Sequence, residues 1–233
     1  MRAQAARLAD PWVAWCVEVA HRVPLHWVAK MLATVLGIPA FFVAYFWVLR
    51  HPFFSVTIMP LTAFDHWVEF RPGALPLYVS LWVYVSITPA LLKSREELKS
   101  IGLGTLLMSV IGFAIFMLWP TAVPAFAIDL TLHPGMAVLK GIDVTANACP
   151  SLHVAFAVFN AIWLRRLLRE TRAPFGVRAF NLLWCLAILY STLATRQHVL
   201  LDVLAGIVLG VAVALPNVRV LGRPGLNLGL TWR

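Results

Sequence analysis

Residues 101–119 read IGLGTLLMSVIGFAIFMLW, nineteen positions without a charge. At about 1.5 Å of rise per residue, such a run crosses the roughly 30 Å hydrocarbon core of a bilayer as an α-helix. Five more runs of similar length accompany it, at residues 31–49, 74–92, 151–168, 177–195 and 199–216. The run 151–168 has Arg165 and Arg166 near its end and Arg169 just beyond, where long arginine side chains can reach the interface. Pro174 and Gly176 break the chain before the next run. The expected fold is all-α: a polytopic membrane protein with six transmembrane helices in one bundle.

Composition agrees with this reading. Of 233 residues, 61% are hydrophobic and 12% charged, with a mean hydropathy of +0.83. Soluble domains are about half apolar and about a quarter charged. Six spans with short loops use up the length, which leaves no room for a separate soluble domain. The expected division is an N-terminal interfacial segment at 1–30, a six-span membrane domain at 31–219 and a cytoplasmic tail at 220–233. Arg2, Arg7, Asp10, Glu18 and Arg22 interrupt the opening stretch, so it does not read as a cleaved signal peptide. Trp12, Trp15, Cys16 and Val19 recur at helical spacing there, which suits a helix lying among lipid headgroups or one packed on the bundle.

Charge sets an orientation. The 19 Lys and Arg against 10 Asp and Glu do not form the single basic patch of a nucleic-acid-binding protein; they fall between apolar runs. About fifteen lie in alternate connections on one side, and about four, Arg50, Arg71, Lys140 and Arg196, on the other. The basic side, with both termini, is expected in the cytoplasm. The expected setting is the inner membrane of a bacterium. Cys16, Cys149 and Cys185 stand far apart with no metal-ligand spacing, so neither a zinc site nor a disulfide framework is read.

With this topology the runs 151–168 and 199–216 start on the same, outer, face. The first opens with Pro150-Ser151-Leu152-His153, in which Pro-Ser starts a helix and sets His153 in its first turn. Free backbone N–H groups and the positive end of the helix dipole suit a phosphate there. Such helix starts are also common without any catalytic role. The second opens with Thr195-Arg196-Gln197-His198-Val199-Leu200-Leu201-Asp202, where His198 and Asp202 are four apart on one helical face. An aspartate so placed holds one imidazole nitrogen as N–H and leaves the other as a nucleophile. The alternative is a buried Asp–His pair that only fixes helix packing. Gly206 and Gly210 form a Gly-x-x-x-Gly, read as permitting close packing within the monomer.

Pro-Ser-x-His at one helix start, then His-x-x-x-Asp-Val at another after one intervening span, resembles the type-2 phosphatidic acid phosphatase superfamily. Pro150 to His153 and Thr195 through Gly206 look most like the branch with inositol phosphorylceramide synthases and related bacterial lipid phosphatases. By this resemblance His198 attacks phosphorus, Asp202 orients and charge-balances it, and His153 protonates the leaving alkoxide, with no metal or other cofactor. Two features depart from the family pattern. No Lys and Arg-Pro pair precedes the Pro-Ser segment between Ile101 and Pro150, and Ser191 is followed by Thr192 where many members have Arg. Phosphate binding is therefore assigned to Ser151, Arg196 and Lys140, since a phosphoryl group gathering charge needs cations as well as helix-end amides.

The function expected is hydrolysis of a lipid phosphate monoester or pyrophosphate at the extracytoplasmic face. Its partners are the lipid substrate and the bilayer, with no nucleic acid. One alternative is a head-group phosphotransferase of the inositol phosphorylceramide synthase type; another is a non-enzymatic transporter or membrane scaffold. The outer loop, 120–150, is long enough to cover a site, and its charged groups are chiefly Asp129, Lys140 and Asp143. That poverty favours water over a polar head group as acceptor.

Overall fold

Helix formation follows the apolar runs closely. The computed structural model describes residues 10–142 and 146–221 and is mostly helical. Helix α1 (Pro11–Arg22) starts at Asp10, whose carboxylate accepts the Trp12 N–H at 2.8 Å. Helix α2 (Trp27–Arg50) is followed by strand β1 (Thr57–Ile58) and the short α3 (Ala63–Trp67). A single 3₁₀ turn (Pro72–Ala74) then leads into α4 (Leu75–Val79) and α5 (Leu81–Leu91). Helix α6 (Arg95–Leu118) precedes strand β2 (Thr121–Ala122) and α7 (Pro134–Ile142). Helices α8 (Leu152–Glu170), α9 (Phe175–Ala194) and α10 (Leu200–Leu221) complete the fold.

Among the described residues, five helices are long and apolar enough to cross a membrane: Trp27–Arg50, Pro72–Leu91, Arg95–Leu118, Phe175–Ala194 and Leu200–Arg219. They match five of the six expected spans. The remaining run, 151–168, forms α8, whose last turns carry Arg165, Arg166, Arg169 and Glu170 and lower its hydropathy. Its position explains the difference. Helix α8 packs against α5, α6, α9 and α10, and Val154, Ala155, Ala157, Trp163 and Leu167 are fully buried. A helix covered by other helices does not need a lipid-facing apolar surface. The outer helices do, and α2, α6, α9 and α10 expose Leu36, Val43, Leu107, Leu183 and Val208.

Polar contacts register the helices. Tyr84 donates to Asn181 Oδ1 at 2.6 Å, Asn160 Nδ2 donates to the Tyr84 carbonyl at 2.9 Å, and Thr88 donates to Asn160. In lipid such bonds average about 0.6 kcal/mol each, so they select an alignment more than they drive assembly. Glycine allows the closest approach. A Cβ on Gly206 would lie 2.5 Å from the Ser151 carbonyl oxygen, and one on Gly210 would lie 2.6 Å from that of Ala155. The Gly-x-x-x-Gly thus seats α10 on α8 within the monomer.

The all-α expectation needs one small correction. Strand β1 pairs in parallel with β2, Thr57 opposite Thr121, and Thr121 also bridges Asn147. Backbone groups leaving helix ends beside an apolar bundle must find partners. Here three loops satisfy one another, and the Thr121 hydroxyl accepts the Cys149 N–H at 2.8 Å just before the Pro-Ser segment. In the N-terminal segment, Trp15 and Val19 pack on the main core. Residues 1–9, Asp143 and the expected tail from 222 onward lie outside the described residues.

Candidate active site

The starts of α8 and α10 meet. Ser151 is the N-cap of α8; its hydroxyl accepts the Val154 N–H at 3.3 Å, and its own N–H donates to the Asp202 carbonyl at 3.0 Å. With Gly206 against the Ser151 carbonyl, this sets Asp202 level with the first turn of α8. His153 lies in that turn.

His198 is positioned differently from its sequence expectation. It precedes α10, which begins only at Leu200, because the backbone N–H groups of Gln197 and His198 both turn back to the Thr192 carbonyl, at 3.0 and 3.1 Å. The chain thus closes α9 before it opens α10. The pairing with Asp202 survives: His198 Nδ1 lies 3.6 Å from Asp202 Oδ2, and both side chains are buried. Asp202 Oδ2 also accepts the Val199 N–H at 3.0 Å.

His153 is held by a residue that spacing did not reveal. Tyr78 stacks on it nearly parallel, with ring centroids 4.0 Å apart at 13°. The Tyr78 backbone takes a hydrogen bond from the imidazole. The other nitrogen, Nε2, is buried without a partner. His153 and His198 are near enough to interact electrostatically.

Six buried side-chain nitrogen or oxygen atoms have no hydrogen-bond partner among the described residues, and three are His153 Nε2, His198 Nδ1 and Asp202 Oδ1. Each such atom costs about 1–3 kcal/mol, so three in one place mark a site shaped for a polar ligand. Among the described residues, no three His, Cys, Asp or Glu side chains group as metal ligands.

Of the expected phosphate-binding residues, Ser151 is fully buried at the α8 cap. Arg196, at φ 55°, directs its guanidinium to the Asp65 carbonyl at 2.8 Å and the Val68 carbonyl at 2.5 Å, over the Phe126 ring. Lys140 Nζ reaches the Arg196 carbonyl at 3.4 Å. The structure therefore gathers Ser151, His153, His198 and Asp202 at two helix starts, with Arg196 on the adjoining turn and Lys140 reaching that turn from the end of α7. Asp65 was also missed. It had one legible signal, the Thr62-x-x-Asp65 capping box, which announces a helix start and nothing about the site. Tyr78 had none.

Comparison with curated proteins and with solved structures returned no match. The model of the PAP2 superfamily matches residues 97–224, more than half of the chain and inclusive of both helix starts. The chain belongs to the PAP2 superfamily, whose members are phosphatases and phosphotransferases.

Proposed function

We propose that the chain is an integral membrane lipid phosphatase working through a phosphohistidine on His198. The observation that carries this reading is the convergence of unpartnered His153 Nε2, His198 Nδ1 and Asp202 Oδ1 at two positive helix ends. In the first half-reaction His198 Nε2 attacks phosphorus while the P–O bond to the lipid breaks. Asp202 holds the Nδ1 proton, and the departing alkoxide takes a proton from the His153 imidazolium. In the second, water attacks the phosphohistidine, passes its proton to His153 and releases inorganic phosphate. Ser151, Lys140 and the Arg196 N–H groups not engaged by Asp65 and Val68 are assigned to the phosphate oxygens.

A cavity of about 440 Å³ supports a lipid substrate. Phe156 and Asn160, which line it, share the face of α8 with His153 at i+3 and i+7, and Phe41, Trp82 and Phe113 line the rest. A chain lying there brings its phosphate to the site. In this reading α8 is also a span, the fourth in chain order, and the basic-residue asymmetry supports a site on the extracytoplasmic face. The branch of inositol phosphorylceramide synthases and related bacterial lipid phosphatases is the one the motifs fit.

The test incubates purified protein with radiolabelled lipid phosphates, with and without inositol phospholipid, ceramide and diacylglycerol as acceptors. Inorganic phosphate released at one rate in every mixture is the expected result. Label entering a new lipid only when an acceptor is present makes the chain a transferase. No turnover of any lipid phosphate rejects the enzyme reading.

A further inference from the structure

Helix α10 starts badly by its own sequence. Its N-cap position is Val199, which has no side-chain acceptor and is among the poorest residues there. Two consecutive N–H groups at this start are nevertheless satisfied, each by a different carboxylate. Asp202 Oδ2 takes that of Val199 at 3.0 Å, and Asp65 Oδ1 takes that of Leu200 at 2.7 Å. Asp65 comes from the segment between α2 and α4, ahead of the residues matched by the family model.

Asp65 is itself firmly held. It is 2% exposed, and its Oδ2 accepts the Thr62 N–H at 2.8 Å and the Thr62 hydroxyl at 2.7 Å. Arg196 bonds the Asp65 and Val68 carbonyls, and the Arg71 N–H donates to the Ala194 carbonyl at 2.8 Å. The segment 62–71 is thereby fastened on both sides of His198. Burial alone would raise the Asp65 carboxyl, but the Thr62 and Leu200 hydrogen bonds and the Arg196 charge hold it below the ordinary carboxylate range.

We propose that Asp65 is a positioning residue for the His198–Asp202 pair, capping α10 from a neighbouring segment so that the Asp202 carboxylate stays turned to the imidazole, with Oδ2 3.6 Å from His198 Nδ1. Without Asp65 the Leu200 N–H is an unmet donor at the helix start, and Asp202 is the carboxylate already bonded to the neighbouring N–H. Swinging that carboxylate toward the Leu200 N–H withdraws Oδ2 from His198 Nδ1. The cap and the catalytic pair thus compete for one carboxylate, and Asp65 removes the competition. This inference rests on the phosphohistidine reading for its kinetic consequence but not for its geometric one.

The experiment compares Asp65→Ala, Asp65→Asn and the double variant Asp65→Ala with Val199→Thr in the full chain. Asn keeps an oxygen for Leu200, and Thr has the shape of Val with an N-cap hydroxyl that accepts the Leu201 or Asp202 N–H, a local cap that takes the demand for an acceptor off the Asp202 carboxylate. In Asp65→Ala, kcat should fall on the order of tenfold with KM little changed, the size of a lost cap. Asp65→Asn and the double variant should recover most of it. Ring ¹⁵N shifts of His198 should show the Nδ1–H tautomer in the wild type, its loss in Asp65→Ala and its return in the other two. Wild-type kcat and tautomer in Asp65→Ala overturn the proposal. So does a defect that neither Asn nor Thr relieves, which would place Asp65 in some other role. If Asp65→Ala does not fold, the Asn and double variants still read the effect. If wild type turns over no lipid phosphate while the tautomer responds as described, the brace stands and the phosphatase reading fails.

Discussion

The two ends of the bundle handle buried polar groups in opposite ways. At the end where α1, α6 and α8 meet, charges are matched. Arg22 pairs with Glu18 at 2.7 Å and with Glu170 at 3.2 Å, Lys93 pairs with Glu170, and Arg166 pairs with Glu97 at 3.1 Å. Trp15 Nε1 and one guanidinium nitrogen each of Arg22 and Arg166 are left over, but neither charge is uncompensated. At the end where α8 and α10 begin, both nitrogen and oxygen atoms are buried with nothing bonded to them. Groups that hold a structure together are bonded in it, whereas groups that act on a substrate are kept unbonded at a cost the rest of the fold offsets.

The sharpest way to break this contrast is at the site end. His198→Ala should lower turnover by about 10³-fold or more, and Asp202→Asn by about 10²-fold or more, since the amide leaves the imidazole in the wrong tautomer. Both should keep the wild-type Tm in detergent. Assays on lipid phosphate with Tm measured in parallel check the pair, and a His198→Ala enzyme within tenfold of wild type removes the nucleophile.

Helix spacing comes next. Gly206→Ala forces a Cβ toward the Ser151 carbonyl, beside the site, while Gly210→Ala does the same one turn further down, at Ala155. Both should lose about 1–3 kcal/mol of stability to overpacking. Only Gly206→Ala should also lose activity, on the order of tenfold, because it displaces Asp202 from the start of α8. Equal activity loss in both would mean that the two helices move as one rigid pair.

Arg196 lies between the two behaviours, being bonded to carbonyls yet next to the site. Arg196→Lys keeps the charge and loses the planar fork, and should reduce kcat/KM by roughly threefold to tenfold. A Lys variant equal to wild type in kcat/KM and Tm would make both its clamp and its strut unnecessary. At the paired end the smallest change in chemistry is expected. Glu97→Gln should leave activity within about twofold while lowering stability by roughly 1–3 kcal/mol, less than for a fully buried pair because the Arg166 side chain is 22% exposed. An activity loss larger than the stability loss would tie that end to the chemistry.

Most of the helices were legible because helix formation in an apolar run is a local matter: each backbone bond closes within four residues, and lipid-facing helices must be apolar along their length. His153 and the His198–Asp202 spacing were legible for the same reason. They sit at helix starts that short motifs announce. The place of α8 was harder to read, since its arginine-rich end lowers its hydropathy and only tertiary structure shows α5, α6, α9 and α10 covering it.

The sequence by itself determined the membrane helices, the lopsided distribution of basic residues and the three groups at the centre of the proposed chemistry. Each depends on residues within a few positions of one another. Tertiary structure alone decided that His198 stands ahead of α10, that Tyr78 covers His153, that Arg196 reaches back to the Asp65 and Val68 carbonyls, and that Asp65 caps α10 across a separation of 135 residues. No periodicity or spacing encodes a partner so distant. A bond of that kind exists only once helix packing has brought the two segments together.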